Sequence, residues 1–245
     1  MEEAVSTNAG ATWRKVDSGR GTAWWRESWA LFMKNPGMWL VYSVIFCLGF
    51  AVLGSIHSIG GVIAAVVGQV IAGGWMLAAR KLESGGTLEV VDLFAGFRQK
   101  LNPLLVLGAF AAGASIVTML VMVTLGAGAV MSIVLGGARS LGAIVAGAGF
   151  GLLAILIGLT LSFLVALAFW AAAALVVLRN VEPVEALKAS WASSWGNVGP
   201  FVIYGLLWIA AAIVACIPLM LGWIVLLPLT MLGLYCSYQD IFERT

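Results

Sequence analysis

Long apolar runs separated by short polar stretches dominate this chain of 245 residues. Several runs reach the roughly 20 residues that a helix needs to cross about 30 Å of hydrocarbon. They are continuous rather than alternating in polarity, which predicts spanning helices and not barrel strands. We therefore predict an all-α polytopic membrane bundle with six transmembrane helices, at residues 38–55, 61–79, 104–125, 151–178, 199–216 and 220–237.

The stretch 126–151 is rich in glycine and alanine and contains a single charge, Arg139. Its pattern is compatible with an outer loop, a short re-entrant segment, or extensions of two long tilted helices. Gly147 and Gly151 fit a small-xxx-small contact, which lets two helices approach closely. A count of eight helices, with residues 103–178 split into four, is a further alternative. We disfavour it because the extra spans would be short.

Three amphipathic segments precede the first, third and fifth predicted spans. Their apolar faces are Trp25, Trp29 and Phe32; Leu93, Phe94, Phe97 and Leu101; and Val184, Leu187, Trp191 and Trp195. Such a face can enter the boundary of the bilayer while neighbouring cations reach the headgroups. We predict three interfacial helices, anchored by a belt of tryptophans that also includes Trp24 and Trp39.

The segment Ser28–Tyr42 recurs as Ser190–Tyr204, with Ser, Trp, Ala, Asn, Gly and Tyr at identical offsets. A weaker third copy surrounds Asn102 and Pro103. In each copy the Asn is expected to separate an interfacial helix from a span, by ending one helix or capping the next. The copies enter the membrane from one side, so we interpret them as parallel repeats. The alternative is that only the first and last copies are related.

This repeat suggests a domain organisation. Residues 1–20 are expected to form a flexible cytoplasmic tail, and residues 21–245 a single membrane domain. Within that domain the three units of interfacial helix plus hairpin cover about 21–80, 87–178 and 182–240.

The charges indicate how the bundle is oriented. Hydrophobic residues make up 62% of the chain and charged residues 10%, against about a quarter charged in soluble domains. Twelve of the thirteen Lys and Arg residues, and all eleven acids, fall on one side of the predicted spans. The positive-inside rule makes that side cytoplasmic, with both termini on it.

Four stretches along this polar side carry a resemblance to known proteins. They are Trp29-Ala30-Leu31-Phe32 with Lys34-Asn35-Pro36, Leu93 to Phe97, Glu185 to Phe201, and Tyr235 to Phe242. In them the chain resembles an uncharacterised family of six-helix bacterial inner-membrane proteins. The resemblance implies a location in the inner membrane and a six-helix fold, and it implies no reaction.

The residue types that carry catalysis are sparse. His57 is the one histidine, no acid falls within a predicted span, and the three cysteines show no CxxC spacing. No HExxH, GxSxG or phosphate-binding loop is present. We therefore expect no enzymatic activity, no catalytic, cofactor or metal site, and no nucleic acid as a partner.

Gln69 is the only amide side chain within a predicted span. A buried Gln in a membrane helix usually forms a hydrogen bond with a neighbouring helix. The alternative role is a contact in a ligand or solute pathway.

Two functional hypotheses follow. The first is a non-enzymatic scaffold, assembly or envelope protein of the inner membrane that binds phospholipids, another membrane protein or a second copy of itself. Its candidate interface is Trp25, Arg26, Trp29, Lys34, Phe97, Arg98, Lys188, Trp191 and Trp195. The second hypothesis is a facilitator or transporter of a small neutral or amphiphilic solute that passes near Gln69.

Overall fold

A computed structural model describes residues 12–56, 59–136 and 140–244, together with the backbone of residues 4 and 5. Its helices are α1 (Arg20–Lys34), α2 (Pro36–Ser55), α3 (Gly60–Glu83), a 3₁₀ helix (Val90–Phe94), α4 (Ala95–Gln99), α5 (Leu101–Gly136), α6 (Leu141–Phe169), α7 (Ala172–Arg179), α8 (Pro183–Gly196), α9 (Val198–Cys216) and α10 (Trp223–Phe242). Two strands of two residues each, β1 (Ala4–Val5) and β2 (Trp13–Arg14), form an antiparallel ladder. His57 and Arg139 lie outside the described residues.

The six predicted spans are confirmed within the described residues, and each is longer than expected. The six stretches long and apolar enough to cross a membrane are Pro36–Ser55, Gly60–Glu83, Leu101–Gly136, Leu141–Arg179, Val198–Cys216 and Trp223–Phe242. The six-helix count therefore holds, and the count of eight is wrong.

The stretch 126–151 consists mainly of the adjoining ends of α5 and α6, so the alternative of two long helices is the correct one. No proline interrupts the chain between Pro103 and Pro183. Ser140 begins α6, where its Oγ accepts a hydrogen bond from the backbone N–H of Ala143 at 3.4 Å.

Glycines bring α5 and α6 together, but the pair differs from the expected one. A Cβ at Gly147 would lie 2.6 Å from Cγ1 of Ile133, and one at Gly158 would lie 2.3 Å from Sδ of Met122. A Cβ at Gly151 would meet nothing within 4 Å. The close contact thus repeats three helical turns apart, at Gly147 and Gly158, and omits Gly151.

The most tightly packed part of the protein is the end of the bundle that carries the charged segments. We call residues 13–35, 80–100, 179–197 and 235–244 the polar end. Fully buried aromatic side chains lie within the polar end and in the adjoining parts of α2 and α3: Trp24, Tyr235 and Tyr238, and Trp39, Tyr42 and Trp75. The indole rings of Trp39 and Trp75 stack with centroids 5.4 Å apart. Aromatic packing of this kind fixes α2 against α3.

Part of the segment expected to be flexible packs against this core. The side chains of Trp13 and Val16 are buried. The Trp13 ring fills the space above Gly196, where a Cβ would lie 2.1 Å from the ring. Residues 13–20 are therefore tied to the junction between α8 and α9, whereas residues 1–3 and 6–11 lie outside the described residues.

Candidate functional site

The three Asn junctions begin from the same local pattern and end in different environments. Asn35 caps α2, with its Oδ1 accepting from the Met38 N–H at 3.3 Å. Asn197 is buried, and its Nδ2 donates to the carbonyl oxygens of Ser193 at 2.9 Å and Arg14 at 3.2 Å. Asn102 is exposed and is the second residue of α5, so it lies at the third junction but neither ends α4 nor caps α5, as was expected of it.

The interfacial segments expose most of their apolar stripes, although Phe32 and Leu93 are buried, and α8 buries small residues instead. Exposed fractions are 50% for Trp29, 38% for Trp191 and 49% for Trp195. The face of α8 that packs inward is made of Pro183, Ala186, Ala189, Ser190, Ser193 and Ser194. Phe94 and Phe97 are exposed beside α4. Large rings consequently point away from the protein at three places around the polar end.

Not every tryptophan belongs to that surface. Trp24 and Trp39 are fully buried, so the expected membrane belt is wrong for these two residues. Trp25 is half-buried, stacks on the Tyr204 ring at 5.4 Å, and donates its Nε1–H to the Tyr204 carbonyl oxygen at 3.2 Å. In α1, Trp29 is the aromatic residue that stays available.

Cations lie close in sequence to the exposed rings. Arg26, Lys34 and Arg98 are exposed, and among the described residues none of them has a carboxylate or hydrogen-bond partner. Lys188 pairs with Glu185 at 2.9 Å. We define the interfacial collar as Trp29, Phe94, Phe97, Trp191 and Trp195 together with Arg26, Lys34 and Arg98.

Asp240 near the end of α10 is the centre of a buried polar cluster that the sequence reasoning missed. Its carboxylate is 1% exposed. Arg14 Nη2 contacts Oδ1 at 2.8 Å, while Arg20 Nε and Trp24 Nε1 donate to Oδ2. Burial would lower the pKa of Arg20, but the Asp240 hydrogen bond and the charges of Asp240 and Glu27 raise that pKa above its usual value. Arg20 therefore remains a cation.

A second cluster continues from Asp240 along the same helix end. Glu243 accepts from Arg80 Nη2 and, at 2.7 Å, from the Tyr238 hydroxyl. Tyr235 donates its hydroxyl to Glu83. Arg244 joins the two clusters, because it pairs at 2.8 Å with Glu27, a partner of Arg20, and also donates to Gln239, which donates to Glu83. Because these acids are neutralised inside the fold, the clusters stabilise the polar end and leave the collar's cations uncompensated.

A cavity of about 420 Å³ lies between α2, α3, α5, α6, α7 and α10. Its lining is apolar apart from Gln69, Ser115 and the indole of Trp170. The Ser115 hydroxyl donates to the Ala111 carbonyl oxygen at 2.8 Å, and the Trp170 Nε1–H donates to Ser237 at 2.8 Å. The expected hydrogen bond from Gln69 to a neighbouring helix is absent among the described residues. Gln69 is therefore a cavity-lining amide without a protein partner there.

The remaining side chains to locate are the potential metal ligands and the cysteines. In the part of the chain that the structure describes, no group of three or more His, Cys, Asp or Glu side chains is placed to hold a metal ion. Cys47 and Cys216 are exposed and Cys236 is buried, all three as free thiols.

Comparison with known proteins gives one relative. The chain is 31% identical over 208 residues to a probable inner membrane protein of Burkholderia thailandensis, in an alignment covering 81% of this chain and 76% of that protein. No family model and no solved structure matches the chain.

Proposed function

Because the chain belongs to the family of the probable inner membrane protein of Burkholderia thailandensis and is a multi-pass helical membrane protein, we propose that it binds anionic phospholipid headgroups through its interfacial collar. It does so without catalysing a reaction. The observation that carries this proposal is the combination of outward-facing rings and unpaired cations in the collar. Aromatic rings at headgroup depth match the boundary between the headgroup and the acyl chains, and cations just beyond them match the negative charge of the headgroup.

The sorting of charges supports this choice of ligand. Asp240, Glu243 and Glu27 are each paired with arginines inside the fold. The collar cations have no such partners among the described residues, and each Lys or Arg near an anionic membrane surface contributes about 1 kcal/mol of attraction. Three unpaired cations therefore favour anionic over zwitterionic lipid.

The proposal includes an orientation. The polar end holds both termini and lies in the cytoplasm, since twelve of thirteen Lys and Arg residues occur in its segments. A facilitator for a small solute has less support, because the lining of the Gln69 cavity is mainly apolar.

Native mass spectrometry of the protein released from nanodiscs tests lipid binding. The nanodiscs contain equal amounts of phosphatidylglycerol and phosphatidylcholine. The wild type is expected to retain mostly phosphatidylglycerol. The combined variant Arg26→Gln, Lys34→Gln and Arg98→Gln is expected to lose that preference, since roughly 1 kcal/mol per charge is removed.

A charge-conserving variant provides the matched control. Arg26→Lys, Lys34→Arg and Arg98→Lys keeps three cations at the same positions and is expected to retain phosphatidylglycerol. Equal lipid retention in all three proteins would contradict the proposal. A protein or a second copy retained through the collar, with no lipid preference, would instead assign the collar to a protein partner.

A further inference from the structure

The cavity beside Gln69 lies around the middle of α3, and Gln69 itself is half-buried. Gln69 is nine residues after the start of α3 and fourteen before its end. At 1.5 Å per residue it is about 14 Å from one end of the helix and 21 Å from the other. Its amide is thus remote from both ends, where water and lipid headgroups would satisfy it.

Gln69 differs from the hydroxyl side chains of the spans in its hydrogen bonding. Ser115, Thr118, Thr124 and Thr160 each donate to a carbonyl oxygen four residues earlier in their own helix. These hydroxyl groups are hydrogen-bonded within their own helix and need no partner from outside it. Gln69 has no such bond, and an amide in an apolar medium is costly to leave unpaired. It therefore requires a partner that the described residues do not supply.

We propose that this cavity binds a neutral, mostly apolar molecule through a hydroxyl or carbonyl group that pairs with the Gln69 amide. The amide offers both a donor and an acceptor, so either group is a suitable match. Phe50, Phe169 and Met231 contribute to the apolar lining that surrounds the rest of the molecule.

The lining and the volume restrict what the ligand is. None of the residues around the cavity carries a formal charge, so a charged molecule would be desolvated without compensation. A volume of about 420 Å³ falls within the range of small-molecule sites. Apolar cavities do not hold water well, because water needs several polar partners. A membrane-soluble amphiphile satisfies both requirements.

Photo-crosslinking in nanodiscs tests the site with a defined probe. The probe is dodecanol carrying a diazirine near the end of its chain, compared with a dodecyl-trimethylammonium of the same design. The alcohol is expected to label residues of α3 and α5 that line the cavity, and the permanently charged probe is not. Gln69→Leu is expected to reduce this labelling roughly three- to tenfold, the effect of losing one hydrogen bond.

Two glycine substitutions give a matched pair that leaves Gln69 intact. Gly68→Leu fills the cavity, because a Cβ at that glycine lies 3.5 Å from Phe50 in ordinary contact. Gly113→Leu adds the same side chain where a Cβ meets nothing within 4 Å. Gly68→Leu is expected to abolish the labelling and Gly113→Leu to preserve it.

The proposal is overturned if the alcohol labels the cavity equally in the wild type, Gln69→Leu and Gly68→Leu. It is also overturned if labelling is confined to the lipid-facing surfaces. None of these variants alters the collar, so the lipid preference measured by mass spectrometry is independent of this result.

Discussion

At the scale of single residues, Asp240 connects segments of the polar end that are far apart in the sequence. Its carboxylate receives two arginines and an indole N–H, and it is almost fully buried. Arg14 and Arg20 come from the N-terminal segment and the first turn of α1, more than two hundred residues earlier in the chain. One carboxylate therefore joins the beginning of the chain to its last helix.

Replacing Asp240 with Asn is expected to destabilise the folded protein strongly. Arg14 and Arg20 would each lose their contact with a buried carboxylate, while Arg20 keeps Glu27, and breaking such a buried pair typically costs up to about 3–5 kcal/mol. The measurement is the unfolding free energy in detergent, from denaturant titration followed by tryptophan fluorescence. Glu185→Gln is the matched control, because it removes one carboxylate from an exposed pair with Lys188, worth roughly 0.5 kcal/mol. A loss at Asp240 no larger than the control's would refute the central role of its carboxylate.

At the scale of helices, the position of the Asn at each repeated junction follows from the local sequence, whereas its contacts depend on the tertiary fold. The sequence predicted an Asn between an interfacial helix and a span, and Asn35 and Asn197 occupy that place. Their surroundings were not predictable. Asn197 also accepts from the Val16 N–H at 2.8 Å, a contact made by a segment about 180 residues away.

The three asparagines are expected to differ when each is replaced by Ala. Asn197→Ala removes a buried amide with three backbone partners and is expected to cost about 2–3 kcal/mol. Asn35→Ala loses a helix cap, with a typical cost of about 1 kcal/mol. Asn102→Ala alters an exposed residue within a helix and should change stability by less than about 0.5 kcal/mol. The same unfolding titration measures all three, and equal costs would mean that the repeat has one structural role throughout.

For the interfacial helices, too, the sequence predicted a local feature but not its surroundings. Periodicity placed Trp25 and Trp29 on one apolar face of α1, but it does not state whether that face meets lipid or protein. Trp25 packs because Tyr204 of α9 lies beside it, and Trp24 packs against Phe201. In α8 the exposed stripe could be recognised from the sequence, since small residues such as Ala186 and Ser190 occupy the opposite face. The partner of a polar side chain, as at Gln69 and Asp240, depends on helices distant in sequence.

At the scale of the whole molecule, α5 and α6 form a hairpin whose helices are longer than those of the α2–α3 and α9–α10 hairpins. The 36 residues of α5 rise about 54 Å, against about 30 Å of hydrocarbon. Gly108 in its first third already packs on Val66 of α3, only six residues from the start of that helix. The rest of α5 packs mainly on α6, with exposed apolar side chains such as Val130 and Leu135. Tilting by 40° shortens the span of α5 to roughly 41 Å, which still exceeds the roughly 30 Å thickness of the hydrocarbon.

The orientation of the whole bundle is the last prediction, and reporter fusions measure it. Green fluorescent protein joined to Thr245 is expected to fluoresce, because it folds in the cytoplasm and not after export. Alkaline phosphatase joined after Leu219, in the exposed turn between α9 and α10, is expected to be active, because the proposed orientation places that turn in the periplasm. The physical reason is that segments rich in Lys and Arg are retained on the cytoplasmic side of the membrane. Twelve of the thirteen Lys and Arg residues lie in polar-end segments. Each reporter is also fused at the other position as its control. An active phosphatase at Thr245 with a fluorescent fusion after Leu219 would show that the topology is the reverse of the expected one. It would also place the collar against the opposite leaflet.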